Sequence, residues 1–215
     1  MRKKSAFFLM MLLAVTVLFS GCGCGSRITF EPESSSIYVK KDGSVVSADI
    51  ETFTGSNYNA DELTAYVEQA GSSYNEEHGS QALAYQDDAD KNTTLPVAVQ
   101  SLNVENEIAT LFLDYASCGD YLEFNGTAGM TGGVSTLQKS TVAELAPEGS
   151  FQNADGEDTA LEDVLENEKY HVVEIEGGVT MQVEGTVRYV TTGVTIDDEH
   201  TVTTPDSGIC YIVFR

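Results

Sequence analysis

The chain has 215 residues and a mass of 23.1 kDa. Its 11 lysines and arginines face 34 aspartates and glutamates, a formal charge of -23, and such a surface repels the phosphates of nucleic acid. At 41% hydrophobic and 21% charged residues it is too apolar for a disordered acidic tail, and its length allows one domain, or one domain plus a small appendage.

Arg2, Lys3 and Lys4 precede a run from Ala6 to Phe19 that is apolar except for Thr16. As a helix that run reaches roughly 21 Å, against roughly 30 Å of hydrocarbon, so it fits the core of a secretory signal better than a membrane span. It ends in Phe19-Ser20-Gly21-Cys22, which resembles a bacterial lipobox, with Phe19 where leucine is usual. Cys24 is a poorer acceptor because Gly21 would stand three residues before it. The expectation is a signal peptide over 1–21 and diacylglyceryl and palmitate-type chains on Cys22. The protein would then be lipid-anchored to the cell membrane on its extracytoplasmic face. An ordinary cleaved signal with an incidental Cys-Gly-Cys is the competing reading. A Cys-x-Cys metal site has no histidine or third cysteine nearby to complete it. Cleavage leaves 194 residues with 8 basic and 34 acidic side chains, or -26. Residues 22–36, with glycines, serines and Pro32, read as a flexible tether to a globular domain over 37–215.

Ile37 to Val39 and Val45 to Phe53 read as strands of a hairpin around Asp42-Gly43. Asn59 and Glu62 form a capping box for a helix ending near Gly79, with Leu63, Tyr66, Val67, Ala70 and Tyr74 on one stripe. Leu95 to Val104 and Glu107 to Tyr115 predict a second hairpin about Glu105-Asn106, its second strand central. Ser117 and Asp120 cap a short helix that Gly126 closes. Val134 to Leu137 predicts a strand and Ser140 a cap for a short helix to Ala146. Asp155-Gly156 predicts a turn, and Thr159 with Glu162 caps a helix to about Asn167. His171 to Glu176 and Val179 to Glu184 flank Gly177-Gly178 as a third hairpin. Strands follow at Val187 to Thr192, Val194 to Ile196 and Ile209 to Phe214. Strand–helix alternation is missing, so the class is α+β: a mostly antiparallel sheet with one long and two or three short helices, in a single domain.

Four stretches together carry a resemblance. They are Ile37 to Gly43; Asp61-Glu62-Leu63 with Tyr74-Asn75; Leu113 to Ser117 through Asp120-Tyr121 to Gly126; and Val183 to Val190 with Tyr211 to Phe214. These resemble a group of uncharacterised lipoproteins of anaerobic Gram-positive bacteria, over most of the mature chain. The resemblance implies the envelope address and the single domain, and it brings no activity, ligand or site residue.

Candidates for chemistry are sparse. Asp88-Ala89-Asp90-Lys91-Asn92-Thr93 begins like a calcium loop, but Thr93 replaces the turn glycine and Val99 the closing glutamate. Weak calcium binding by the acidic surface is the better expectation. Asp155 to Asp158 and Asp197-Asp198-Glu199 read as solvated turns. His78, His171 and His200 are too scattered in sequence to indicate zinc. The glycines from Gly126 to Gly133 lack the Lys-Ser/Thr end of a phosphate loop and read as a flexible loop. Cys118, near a helix start, could act as a nucleophile if His171 or His200 served as its base. Cys118 and Cys210 are the cysteines left outside the lipobox pair, and they either form a disulfide or stay as two buried thiols, the latter favoured. Most tyrosines fall on apolar stripes and read as core rather than as a sugar platform.

The function expected is a non-enzymatic binding or interaction domain at the cell envelope, without a cofactor. Its partners would be the membrane, through the lipid on Cys22, and an envelope protein or wall polymer. The alternative is an envelope hydrolase using Cys118 or paired carboxylates. A two-lobed solute receptor of a transporter fits this pattern poorly.

Overall fold

A computed structural model describes residues 28–55, 59–87, 93–128 and 133–215. The predicted signal segment, Cys22 and Cys24 lie outside the described residues, as do residues 88–92 of the calcium-like stretch and Gly129 and Gly132.

The first hairpin forms where Asp-Gly places it. Strands β1 (Ser36–Val39) and β2 (Val45–Thr52) pair antiparallel, Ile37 opposite Ser47 and Val39 opposite Val45. The Asp42 carboxylate accepts from the Ser44 amide at 2.9 Å and its hydroxyl at 2.7 Å, while Gly43 takes φ +90°. Helix α1 (Ala60–Glu77) starts at Asn59, whose side chain accepts from the amides of Asp61 and Glu62. Its predicted stripe holds for Val67 and Tyr74, which are buried, but Tyr66 is 51% exposed. The position that matters most was not on the stripe: Asn75 is fully buried.

Strands β3 (Val97–Glu105) and β4 (Ile108–Tyr115) form the second hairpin. Its turn is one residue later than predicted, since Asn106 and Glu107 hold φ of +52° and +64°. Two successive left-handed residues match the right-handed twist of the strands they join. β4 lies between β2 and β3, as expected of an apolar strand, with Leu111, Leu113 and Tyr115 buried on one face. Helix α2 (Cys118–Ala128) starts at Ser117, whose hydroxyl accepts from the Asp120 amide at 3.1 Å and donates to its carboxylate at 2.5 Å. It runs through Gly126, where the sequence predicts its end.

The remaining strands reveal two sheets where one was expected. β5 (Thr136–Thr141) leads into the four-residue α3 (Val142–Leu145), capped by Thr141 rather than Ser140. β6 (Phe151–Asn153) and β7 (Asp158–Thr159) flank the predicted turn at Asp155-Gly156. Because Thr159 belongs to β7, the next helix, α4 (Leu161–Leu165), starts without a side-chain cap. β8 (His171–Glu176), β9 (Thr180–Val183), β10 (Val187–Thr191), β11 (Thr195–Ile196), β12 (Thr201–Thr203) and β13 (Ile209–Phe214) complete the chain. β12 was not predicted.

One sheet has the order β11-β12-β9-β1-β2-β4-β3 and the other β5-β8-β13-β10-β6-β7. The β1–β9 pairing is parallel, and the other pairings are antiparallel. β8 and β9 therefore do not form the hairpin predicted around Gly177-Gly178. They belong to different sheets, and the two glycines carry the chain across between them. Gly177 sits at φ +127° against the backbone of Gly133 and Val134, so a side chain there would overlap it. A two-residue glycine turn and a tight sheet-to-sheet crossing look alike in sequence, because both need a left-handed, unhindered backbone.

The inner faces of the sheets meet in one core. Val39, Val45, Leu113 and Met181 come from the first sheet, and Leu137, Val173, Ile212 and Phe214 from the second. Val67 and Tyr74 of α1 and Tyr121 and Phe124 of α2 join it. α3 and α4 cover the other side of the second sheet through Val142, Phe151, Val164, Val172 and Val213. On the other side of the first sheet, Phe30 stacks on Tyr38 at 5.5 Å and meets Phe112 edge-on at 6.1 Å, while Gln182 donates to the Thr29 carbonyl at 3.0 Å. Within the span expected to be tether, Phe30 thus packs on the sheet and the exposed Thr29 is tied to it through its carbonyl. At the open side of β3, Asn75 accepts from the Val97 amide at 2.9 Å and donates to the Val97 carbonyl at 2.8 Å, and the Val99 amide donates to Ala84 O.

Candidate functional site

The inner face of β2 changes character along its length. Val45, Ser47, Asp49 and Glu51 lie opposite Tyr115, Leu113, Leu111 and Ala109, so all four share the core-facing side. The first two are buried in that core, and the last two leave it at the end of the sheets where β1 and β9 begin. There a cavity of about 680 Å³ opens. β1 and its approach supply Ser35, Ser36 and Ile37, α2 supplies Tyr121, and Gly178 to Thr180 and Thr203, Thr204 and Asp206 form the opposite wall.

Asp49 is the electrostatic centre of this cavity. Burial raises its carboxyl above the ordinary aspartate range; the Ser47 hydroxyl, donating at 3.2 Å, opposes the shift and the charge of Glu51 adds to it. Ser47 also lies 3.4 Å from the Tyr115 hydroxyl, which accepts from Asn125 at 3.3 Å. Asn125 in turn donates to the Tyr121 carbonyl at 2.7 Å. This chain of bonds ties the floor of the cavity to α2. Burial and the Asp49 charge push the Tyr121 hydroxyl up to about 12, so it remains a proton donor. On the far wall Thr204, itself buried, donates to Gly177 O at 2.6 Å and accepts from the Val179 amide at 3.0 Å.

Among the described residues no lysine or arginine lines the cavity. Lys40, Lys41, Lys169, Arg188 and Arg215 sit at or beside the opposite ends of the strands, next to Val39, His171, Val187 and Phe214.

That opposite end also holds the predicted nucleophile. Cys118 is buried, its Sγ donates to Gly43 O at 3.5 Å, and burial raises the thiol to about 11 despite a hydrogen bond from the Lys139 backbone and the charge of Lys139. A buried, protonated thiol is not an activated nucleophile. Lys139 also acts on His171, whose pKa is lowered by burial first and then by the Lys139 and Lys41 charges, with the Glu184 charge opposing. His171 lies against Phe214, with ring centres 5.3 Å apart. The fold thus brings Cys118 and His171 to the same end, in forms that disfavour proton transfer between them. His200 is engaged elsewhere, with Nδ1 on Gly185 O at 2.5 Å and Nε2 on Glu199 at 3.3 Å. His78 stacks on Tyr74 at 3.9 Å and pairs with Glu123 at 3.3 Å. Cys118 and Cys210 are two free buried thiols, not a disulfide.

The acidic turns behave as the sequence suggests. Asn153 accepts the amides of Asp155 and Glu157, and Asp198 those of His200 and Thr201. Among the described residues no group of three or more histidine, cysteine, aspartate or glutamate side chains is placed to hold a metal ion. The sequence reading missed the Asp49, Glu51 and Asp206 set. Its one signal was an acidic pair continuing an alternating apolar strand.

Fold and cavity define an α+β domain of two mostly antiparallel sheets with an acidic, hydroxyl-lined chamber at one end. No known protein family, curated protein or solved structure matches this chain.

Proposed function

We propose that the protein is a lipoprotein held by acyl chains on Cys22 at the extracytoplasmic face of the cell membrane, and that its domain acts by binding a ligand in the end cavity. The observation that carries the binding reading is the cavity itself, with a partly buried Asp49 on its floor and no thiol or histidine among the described residues of its lining. The address rests on the basic start, the short apolar run and the lipobox-like Phe19 to Cys22, and it agrees with the resemblance to lipoproteins of anaerobic Gram-positive bacteria. Two acyl chains give a stable anchor where one is marginal. Among the described residues no helix is long and apolar enough to cross a membrane. The partner is a component of the envelope, a wall polymer or protein presenting a group that fits the cavity. Calcium is at most a weak, diffuse counter-ion of the acidic surface.

Two measurements test this reading. The Cys22→Ser chain is expected in the soluble extracytoplasmic fraction while the parent sediments with membranes. After incubation with envelope extract, native mass spectrometry is expected to show a discrete adduct on the parent that Glu51→Trp, which fills the mouth of the cavity, abolishes. A Cys22→Ser chain that stays with membranes removes the anchor. An adduct that survives Glu51→Trp removes the site.

A second reading draws on the same carboxylates. Asp49, protonated more readily than an ordinary aspartate, has the character of a general acid, with Glu51 and Asp206 as candidate partners. Hydrolysis of wall fragments by the parent and not by Asp49→Asn would put catalysis in place of binding.

A further inference from the structure

Tyr121 is only 4% exposed, lines the cavity, and has no hydrogen bond to its hydroxyl among the described residues. The ring is buried, and the hydroxyl opens to the cavity, where a ligand can reach it. Beside it Asp49 has a single hydroxyl donor, from Ser47, although a carboxylate can accept several bonds. Both groups face the cavity with bonding capacity that other described side chains do not take up.

We propose that the cavity binds an extended organic cation with two or more ammonium groups, one of them seated between Asp49 and the Tyr121 hydroxyl. This rests on the reading of the cavity as the binding site and names the chemistry of its ligand. Anions are disfavoured by three carboxylates, Asp49, Glu51 and Asp206, with no cationic side chain among the described residues of the lining. A neutral polyol would satisfy Tyr121 and leave the desolvated charge of Asp49 unmatched. A single divalent ion is disfavoured for a different reason: among the described residues no group of three or more carboxylate, histidine or thiol side chains is placed to hold one. A chain of amines separated by methylenes meets both conditions. Its charges reach carboxylates that stand apart, while Ile37 and Val179 in the lining offer apolar contact to the carbons between them.

The test is calorimetric titration of the full-length lipoprotein in detergent micelles, with spermidine as the probe and magnesium chloride as the comparison. Saturable binding of one spermidine per chain is expected, with magnesium giving no saturable heat at the same charge concentration. Asp49→Asn is expected to weaken spermidine by about tenfold or more, the usual cost of losing a charged hydrogen-bond partner. Tyr121→Phe keeps the ring and should weaken it by a smaller factor, about threefold to tenfold. Glu62→Gln and Glu77→Gln on α1, outside the cavity, should leave it unchanged. Thermal melts of each variant establish that it is folded. Equal losses from the α1 variants, or magnesium binding with the same dependence on Asp49, would overturn the proposal, because either result describes a diffuse ion atmosphere. If the Glu51→Trp-sensitive adduct appears but spermidine does not bind, the ligand class is wrong and the binding site stands.

Discussion

Asp49 is partly buried in the cavity lining and accepts one side-chain hydrogen bond, from the Ser47 hydroxyl. Its pKa is higher in the folded chain than in the unfolded one, so the folded state holds the proton to higher pH. The stability associated with this group is therefore fully present below the unfolded value, about 3.9, and is lost as pH rises through the folded value. Asp49→Asn removes that loss. The variant should be more stable than the parent at neutral pH, and the advantage should shrink as pH falls below the ordinary aspartate range. Urea midpoints at pH 3.5 and pH 7 check this. A variant less stable than the parent at pH 7 would mean that the carboxylate is a structural acceptor and that its burial carries no cost. Asp114, also raised by burial but held by Gln100 at 2.6 Å and near Lys40, belongs to the other side of the sheet and serves as the comparison.

Asn75 shows the opposite economy at the same scale. Its amide gives and takes with Val97 and donates a further bond to Leu83 O at 2.7 Å, with nothing exposed. Alanine there would leave the Val97 amide buried and unmatched. The expected loss is about 2–4 kcal/mol, from one or two unsatisfied groups at about 1–3 kcal/mol each. It should appear as a lower denaturant midpoint with an unchanged slope.

At the scale of elements, the parts written in turn and cap chemistry were legible. Asp42-Gly43, Asn59 and Ser117 announce a turn and two helix starts because each performs its local hydrogen bonding with its own side chain. What was illegible depended on distant partners. Thr159 has the spacing of a cap, but its residue is claimed by β7. Gly177-Gly178 has the look of a hairpin, but its strands pair with β13 and β5 on one side and with β1 and β12 on the other. Gly177→Ala separates the two uses of glycine. It adds both backbone strain and overlap with Gly133, whereas Gly43→Ala, at φ +90° with open space around it, adds strain alone. Gly177→Ala is expected to lose more than about 2 kcal/mol and Gly43→Ala about 1 kcal/mol. Equal losses in chemical denaturation would show that the crossing tolerates a methyl group.

For the whole molecule, the α+β class and single domain followed from the mixture of short strands and capped helices. The division into two sheets did not, because alternation assigns a residue to a face and not to a sheet. The same ambiguity hid the cavity. In β2 Val45, Val46, Ser47 and Ala48 are all buried, so neither face of that strand looks like the outside, and Asp49 looks like the beginning of solvent. It lies instead where the two layers part.

On the proposed lipid anchor, which would concentrate copies on a surface, the borders of the sheets have a consequence. β11 and β7 close their borders with two residues each. β5 lies beside α2, and half of β3 is occupied by Asn75 and Ala84. The accessible remainder of β3 runs from Ser101 to Glu105, where exposed Ser101, Asn103 and Glu105 give a neighbouring copy little to adhere to. Crowded copies would thus stay separate, each too short or too polar at its margins to zip onto the next.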